Sequence, residues 1–475
     1  MKLLFLTYDY LTRPLGITTL SAVLTRSGCQ VEVAALDDRA RHKELLDTFQ
    51  PDFLCLSLIT GQHPLFIETA RQIKSSHPKV IVLAGGPHPT FYPDCINETC
   101  IDAICRGEGD VALPAFIDFV ARHDSLPKFL ANWWIKQPDG TVARNDVGEF
   151  CRDLDLLPFP DRSVFERARP GFRPVTAFVM ASRGCPFNCS YCFNHAYREL
   201  YHVYGGVCRH RSVDNVIAEI NEIRRSYPLQ IVVFQDDTFN LDKKWLQSFC
   251  LRYQQEVGLP FHCHLRADLL DESSAALLRQ AGCLSVKLGL ESGPEHVRNG
   301  ILKRSMSLEQ FEEACRLLHL YGIHFATENI LAIPGTSLDD DLLTYEINRR
   351  VRPHHCFATL MQIYPGTAIA EYAVEKGFVQ GQVTDFPATF YDDSIVEISD
   401  KELRGRLRAL FALCVSLNVP VGVVRRLIRL PLRNLFDVVD RFWKGYCLRF
   451  RIYPYRQSPL SFVKELRAYL GGRYY

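Results

Sequence analysis

Short apolar runs and helical patterns alternate strictly through the first 125 or so residues, and that rhythm constrains the fold more than any other property of the chain. KLLFLT (2–7), Val31–Ala35, DFLCLSL (52–58), Val80–Ala84 and Ile101–Cys105 are too short for buried helices, whereas Gly16–Ser27, Arg41–Phe49, Pro64–Ser76 and Val111–Arg122 have helical periodicity. Strand and helix in turn predict an α/β unit with a parallel, doubly wound sheet, whose ligand lies at the carboxyl ends of the strands. Those ends carry Ser57 with Thr60-Gly61, then Gly85-Gly86-Pro87-His88, then Gly107-Glu108-Gly109. Glycine there lets a ligand approach the backbone, or simply makes a tight strand-to-helix turn.

The alternation stops over about residues 131–172, where KQPDGTVARND reads as a hairpin turn and DLLPFPDR as a proline-stiffened linker. It resumes at Pro174, with strands expected at Val175–Ser182, Gln230–Gln235, Phe261–Arg266, Leu284–Leu290, His324–Ala332 and Cys356–Ile363. Helical stretches such as Val213–Tyr227, Leu241–Glu256, Ser273–Gly282 and Leu308–Tyr321 lie between them. Six such units do not close a complete barrel, so a partial, open (β/α)6 barrel is expected over 173–375, with its chemistry on the carboxyl-end face.

The last hundred residues differ in charge. From Lys401 onward there are 16 basic and 4 acidic residues, so that a chain of net charge +1 is near −11 over its first 400. VGVVRRLIRLPLRNLFDVVDRFW interleaves arginine with leucine and valine at helical spacing, and aromatic-rich RFRIYPYRQ follows. We expect 376–475 to be a mostly helical basic region. Leucines on such a face have no use on phosphate, which favours an interfacial or substrate-capping role, including peripheral membrane contact, over nucleic acid. MKLLFLTYDY lacks a small-residue cleavage site, and no span of about 18 apolar residues occurs, so neither a signal peptide nor a transmembrane helix is indicated and a cytoplasmic chain is the expectation.

Of 17 cysteines, 14 are scattered singly and read as small buried hydrophobes of a reducing compartment. The other three, Cys185, Cys189 and Cys192, crowd into SRGCPFNCSYCFN directly after the first strand of the second series. A structural zinc site wants four protein ligands and a disulfide two. A 4Fe-4S cluster held by three thiolates leaves one iron open to a substrate or cofactor. Gly184 and Pro186 shape the turn.

Cys185, Cys189 and Cys192, with Tyr191 before the last cysteine, resemble the signature loop of radical S-adenosylmethionine enzymes, and the likeness runs over about residues 174–370. The resemblance implies that the open iron chelates S-adenosylmethionine, whose reductive cleavage gives a 5′-deoxyadenosyl radical that abstracts hydrogen from an unactivated position. It implies an external electron donor of the flavodoxin or ferredoxin type. By position it assigns Asp236 and Asp237 to the methionine amino group, in place of the usual Gly-Gly-Glu-like stretch. Arg266 falls to the methionine carboxylate, or else to a salt bridge with Asp268 or Glu291. Glu291 and Ser292 fall to the ribose and carboxylate, and Tyr191, Ile333 and Gly335 to the adenine.

RPLGITTLSAVL, AGGPHPT and CRGEGD, in this order ahead of the cysteine loop, resemble the Rossmann-like cobalamin-binding domain of the cobalamin-dependent members, over residues 1–130. The resemblance implies that Ser57, Thr60, Gly85 and Gly86 line the cofactor, with Glu108 at the rim. The Asp-x-His-x-x-Gly motif of classical cobalamin proteins is absent, so the lower face of cobalt is expected to be unligated or water-ligated, His88 being the alternative. The function implied is C-methylation of an unactivated carbon in a small-molecule or lipid-like biosynthetic intermediate. Oxidative cyclisation or ring rearrangement on the same scaffold is the alternative, and a non-catalytic cobalamin sensor is the alternative from another class.

Overall fold

The computed structural model describes residues 1–10, 12–171, 173–379 and 394–454. The chain divides into two compact units, Met1–Arg173 with Ala196–Arg209, and Pro174–His195 with the chain from His210 onward.

In the first unit the strands are β1 (Lys2–Thr7), β2 (Gln30–Ala35), β3 (Phe53–Ser57), β4 (Ile81–Gly85), β5 (Ala103–Cys105), β6 (Trp133–Lys136) and β7 (Val142–Arg144). They form one sheet in the order β2-β1-β3-β4-β5-β6-β7, parallel as far as β5. The helices are α1 (Leu15–Arg26), α2 (Arg39–Glu44), α3 (His63–Ser76), α4 (Pro87–Phe91), α5 (Gly109–His123) and α6 (Ser163–Ala168). The period of two explains why both faces need cover: Leu3 and Phe5 enter one core with α1, α5 and α6, while Leu4 and Leu6 enter the other with α3. The expected hairpin exists and does more than link, because β6 pairs antiparallel with β5 and extends the sheet. Helix α4 has no apolar period to announce it. It forms because Gly86, at φ +97°, turns the chain against Leu58, whose carbonyl would stand 3.0 Å from any Cβ placed there.

The second unit contains β8 (Thr176–Val179), β9 (Ser182–Arg183), β11 (Ile231–Phe234), β12 (Phe261–Leu265), β13 (Cys283–Glu291), β14 (His324–Leu331) and β15 (His355–Leu360). Helix α7 (Phe193–Leu200) and β10 (Arg209–His210) fall where the chain passes between the units. Six of these strands form a parallel sheet in the order β15-β14-β13-β12-β11-β8. Each neighbours its partner in sequence, which is barrel order without the reversal of a doubly wound sheet. Helices α8 (Val213–Ser226), α9 (Lys243–Glu256), α10 (Glu272–Gln280), α11 (Leu308–Leu320) and α12 (Leu338–Val351) alternate with the strands. Their apolar stripes close over the sheet around Ile220, Phe234, Phe249, Phe261, Leu278 and Phe311.

After α13 (Ala368–Glu375), the tail contributes α14 (Lys401–Ser416), α15 (Val421–Leu427) and α16 (Arg433–Cys447). Leu407, Phe411 and Val415 of α14 pack with Tyr345 and Cys356, so the tail covers β14 and β15. Residues 380–393 and 455–475, including the end of RFRIYPYRQ, lie outside the described residues.

Candidate active site

The loop from Gly184 to Cys192 leaves β9 at the carboxyl end of the sheet. Gly184 has φ +85°, a conformation that favours glycine. The loop is clasped from several sides: Ser190 N–H donates to the Leu302 carbonyl (3.0 Å), Ser190 Oγ to that of Ile301 (2.8 Å), and Ile369 N–H to the Ser190 carbonyl (3.0 Å). The three thiols are brought together. Cys192 N–H donates to the Cys189 carbonyl (3.2 Å), and the Cys192 thiol, pushed up to about 11 chiefly by burial, also feels Cys189 and Cys185. Among the described residues no three His, Cys, Asp or Glu side chains converge tightly enough to hold a single ion.

Each sulfur has a polar neighbour. Thr238 Oγ1 lies 3.7 Å from Cys185 Sγ, Asn194 Nδ2 is 3.5 Å from Cys192 Sγ, and Cys189 Sγ receives Arg304 Nη1 (3.8 Å) and Arg266 Nη1 (4.0 Å). Three thiols on one loop, each met by a polar group, two of them by N–H donors that stabilise sulfur-borne negative charge, fit a cluster bound by three thiolates.

The residues after β11 hold this loop. Asp236 is buried and accepts from Ala181 N–H (3.1 Å) and from the Ser182 hydroxyl. Burial pushes its carboxyl up to about 6. Asp237 accepts from Gly184 N–H and the Asn194 side chain, and burial raises its pKa as well. The pair therefore fixes both ends of the cysteine loop.

Arg266 is buried, with its backbone tied to the Asn240 amide (3.0 Å each way). Its guanidinium forks onto Asp268 (2.9 and 3.0 Å), lies over the Phe187 ring (3.5 Å) and donates to the Arg304 carbonyl (2.9 Å). Of the alternatives open for Arg266, the salt bridge to Asp268 is the one formed in this structure.

Glu291 has φ +65° and faces Arg304 at 3.6 Å; burial pushes its carboxyl up to about 7. Gly289 makes this possible, because a Cβ there would stand 2.1 Å from Glu291 Oε1. Arg304 Nη1 also reaches the Tyr191 hydroxyl (3.2 Å). Ser292 is buried, and its carbonyl accepts from Arg298 (3.2 Å). Ile333 shares an apolar cluster with the flank of Tyr191, and Gly335 follows in the left-handed region at φ +83°. Cys185, Cys189, Cys192, Tyr191, Glu291 and Arg266 thus converge on one place, and Ile333 packs beside Tyr191.

In the first unit, Ser57, Thr60, Gly85, Gly86 and Glu108 stand at the carboxyl edge of the sheet, each partly open. Ile59 and Leu65 are exposed beside them, so the edge fits a broad ligand with an apolar face. Glu108 is engaged: it binds Arg209 and accepts from Tyr197 Oη (2.8 Å). His88, the alternative ligand to cobalt, is buried below this edge. It is 1% exposed, its Nδ1 is 3.0 Å from Thr60 Oγ1, and its ring stacks on His63 at 3.9 Å. Nε2 is buried without a partner.

Arg304, Thr238, Asn194 and Arg298 have no counterpart among the residues singled out from sequence. Arg304 sits between Lys303 (φ +52°) and Ser305 (φ +54°), two non-glycine residues in the left-handed region. Replacing Arg304 with Met is expected to lower the cluster midpoint potential by on the order of 50 mV, because one charge-assisted hydrogen bond and one positive charge leave the sulfur. Arg304→Lys should recover part of it. A redox titration followed by paramagnetic resonance checks this, and an unchanged potential contradicts it.

Residues 179–346 match the family model of the radical SAM superfamily, and residues 1–117 match that of the B12 binding domain. An uncharacterised methyltransferase of Pyrococcus horikoshii is 26% identical over 377 residues, which are 77% of this chain and 79% of that protein. An anaerobic magnesium-protoporphyrin IX monomethyl ester cyclase of Rubrivivax gelatinosus is 26% identical over 327 residues, 67% of this chain but 57% of the cyclase. The solved structure of the cobalamin-dependent S-adenosylmethionine radical enzyme OxsB, with aqua-cobalamin and S-adenosylmethionine bound, aligns with 99% of this chain and 75% of its own. Its TM-score is 0.70 at 16% identity, a likeness of fold.

Proposed function

We propose, for a chain that belongs to the cobalamin-binding radical S-adenosylmethionine enzymes, that its reaction is C-methylation of an unactivated carbon in a small-molecule or lipid-like biosynthetic intermediate. The observation that carries the reading is the three-cysteine loop at the barrel's carboxyl face, each sulfur met by a polar group, in a chain that also has a B12-binding unit. A carbon without an acidic proton is not methylated by polar attack on a sulfonium, so a radical route is required. When bound, the cluster, S-adenosylmethionine and cobalamin supply the electron, the hydrogen abstraction and the methyl group.

The chain's own residues position and insulate. Asp236 and Asp237 hold the loop ends, while Arg266 and Arg304 place positive charge beside Cys189. The Glu291 carboxyl, near 7, can hold or release a proton at neutral pH. Ile333 and Tyr191 line an apolar wall that keeps water from a reactive centre. An external one-electron donor completes the partners, with no nucleic acid among them.

Cyclisation is the second reading, favoured by the likeness to the R. gelatinosus cyclase. Anoxically reconstituted enzyme, reduced and given S-adenosylmethionine, separates the readings. Methyl transfer predicts S-adenosylhomocysteine alongside 5′-deoxyadenosine. 5′-Deoxyadenosine alone selects cyclisation, and neither product selects the non-catalytic sensor.

A further inference from the structure

Helix α16 is seated by one face only. Phe436 and Cys447 are buried, and its two acids, Asp437 and Asp440, are both held by Arg408 of α14. The outward face carries Leu435, Val438, Phe442 and Tyr446 at steps of three, four and four, which is one line along a helix, and Phe450 follows four residues on, in the π-helical turn Leu448–Ile452. Leu435 is 54% exposed, Phe442 55% and Phe450 53%. A continuous apolar line open to solvent needs an explanation that scattered exposed leucines do not.

Exposed cations accompany the line along the chain. Arg426, Arg429 and Arg441 are exposed, and the Arg449 guanidinium lies 5.4 Å from the Phe450 ring centroid. With both acids turned inward, this face presents cations and hydrocarbon together. We propose that the outward face of α16 rests on an anionic lipid surface, its apolar line in the headgroup boundary and its arginines on lipid phosphates. A second copy of the chain fits less well, because a two-fold contact through this face sets arginine against arginine. No described helix is long and apolar enough to cross a membrane, so the contact is a surface one. The inference is independent of which reaction the enzyme performs.

The 475-residue chain is the material for the test. It is expected to sediment with sucrose-loaded vesicles of phosphatidylcholine containing about 30% phosphatidylglycerol, and about tenfold less with phosphatidylcholine alone. Salt at about 0.5 M should release it. Leu435→Glu with Phe442→Glu is expected to weaken partitioning by at least about tenfold while leaving the circular dichroism unchanged, since both side chains face solvent. Arg426→Gln with Arg429→Gln and Arg441→Gln, which leaves the apolar line intact, should remove the preference for anionic vesicles. Failure of the full chain to sediment with anionic vesicles overturns the proposal, as does equal binding to both compositions. A dimer that the glutamate variant dissolves, without vesicle binding, assigns the face to a second copy instead and also overturns it.

Discussion

Alanine at Cys185, Cys189 or Cys192 is expected to give protein that folds but, after anoxic treatment with iron and sulfide, lacks the broad absorption near 400 nm of a 4Fe-4S centre and forms no detectable 5′-deoxyadenosine. The effect is all-or-none because each of the three thiols would carry one iron of the cluster. Fold is preserved because the loop is fixed by other groups: Ser190 on Ile301 and Leu302, and Asp236 and Asp237 on residues 181–184. Cys29→Ser, at a half-buried cysteine of the other unit, should leave the absorption intact. Burial holds the proton on Cys192, so cluster assembly must displace it and is expected to go faster as pH rises. A Cys189→Ala protein with an undiminished centre would remove the basis of the functional reading.

The strands of both units were legible because a short apolar run between helical stretches has few alternatives. Leu3 to Leu6 must feed two cores at once, and only a sheet covered on both faces allows that. The cysteine loop was legible for a similar reason: its three thiols lie within one turn of chain. What surrounds it was not. Arg304 reaches Cys189 across 115 residues, from a loop whose left-handed positions are filled by Lys303 and Ser305 rather than glycine, so nothing local marks the turn. Asp236 and Asp237 were legible as a place at a strand end, but their bonds to Ala181, Ser182 and Gly184 depend on how β8 and β11 are aligned. The glycines of the first unit show the converse. Gly107 is required by the chain itself, since a Cβ there would stand 1.9 Å from the Tyr201 hydroxyl.

The tail hid the most consequential contact. Arg404, read from sequence only as part of a basic region, is 0% exposed and buttresses the turn that follows β14. Its guanidinium donates to the Thr336 hydroxyl (3.0 Å) and carbonyl and faces Asp341 at 3.5 Å. Asp341 accepts from Ala332 N–H (3.2 Å), and Thr336 Oγ1 donates to the Ile333 carbonyl (2.7 Å). The turn after β14, with Ala332 at φ +61° and Gly335 at φ +83°, is thereby locked from α14. Arg404→Met is expected to cost about 3–5 kcal/mol, because it leaves a buried carboxyl and a buried carbonyl without their cation. A lower urea midpoint and faster hydrogen exchange over residues 324–345 would register it. Arg404→Met with Asp341→Leu should recover most of the loss, since the uncompensated charge goes with its partner.

The pH dependence of the single variant has a definite sign. Burial pushes the Asp341 carboxyl up to about 7, above the roughly 3.9 of an unfolded aspartate, so the folded protein binds the extra proton between those values. That contribution to stability is fully present below about pH 4 and is lost as pH rises through 7. Without Arg404 the folded value rises further and the window extends upward. The deficit against the unaltered protein should therefore be larger at pH 8 than at pH 6. A deficit that shrinks over this interval would mean that Asp341 is not the group left uncompensated, and that Arg404 acts through Thr336 alone.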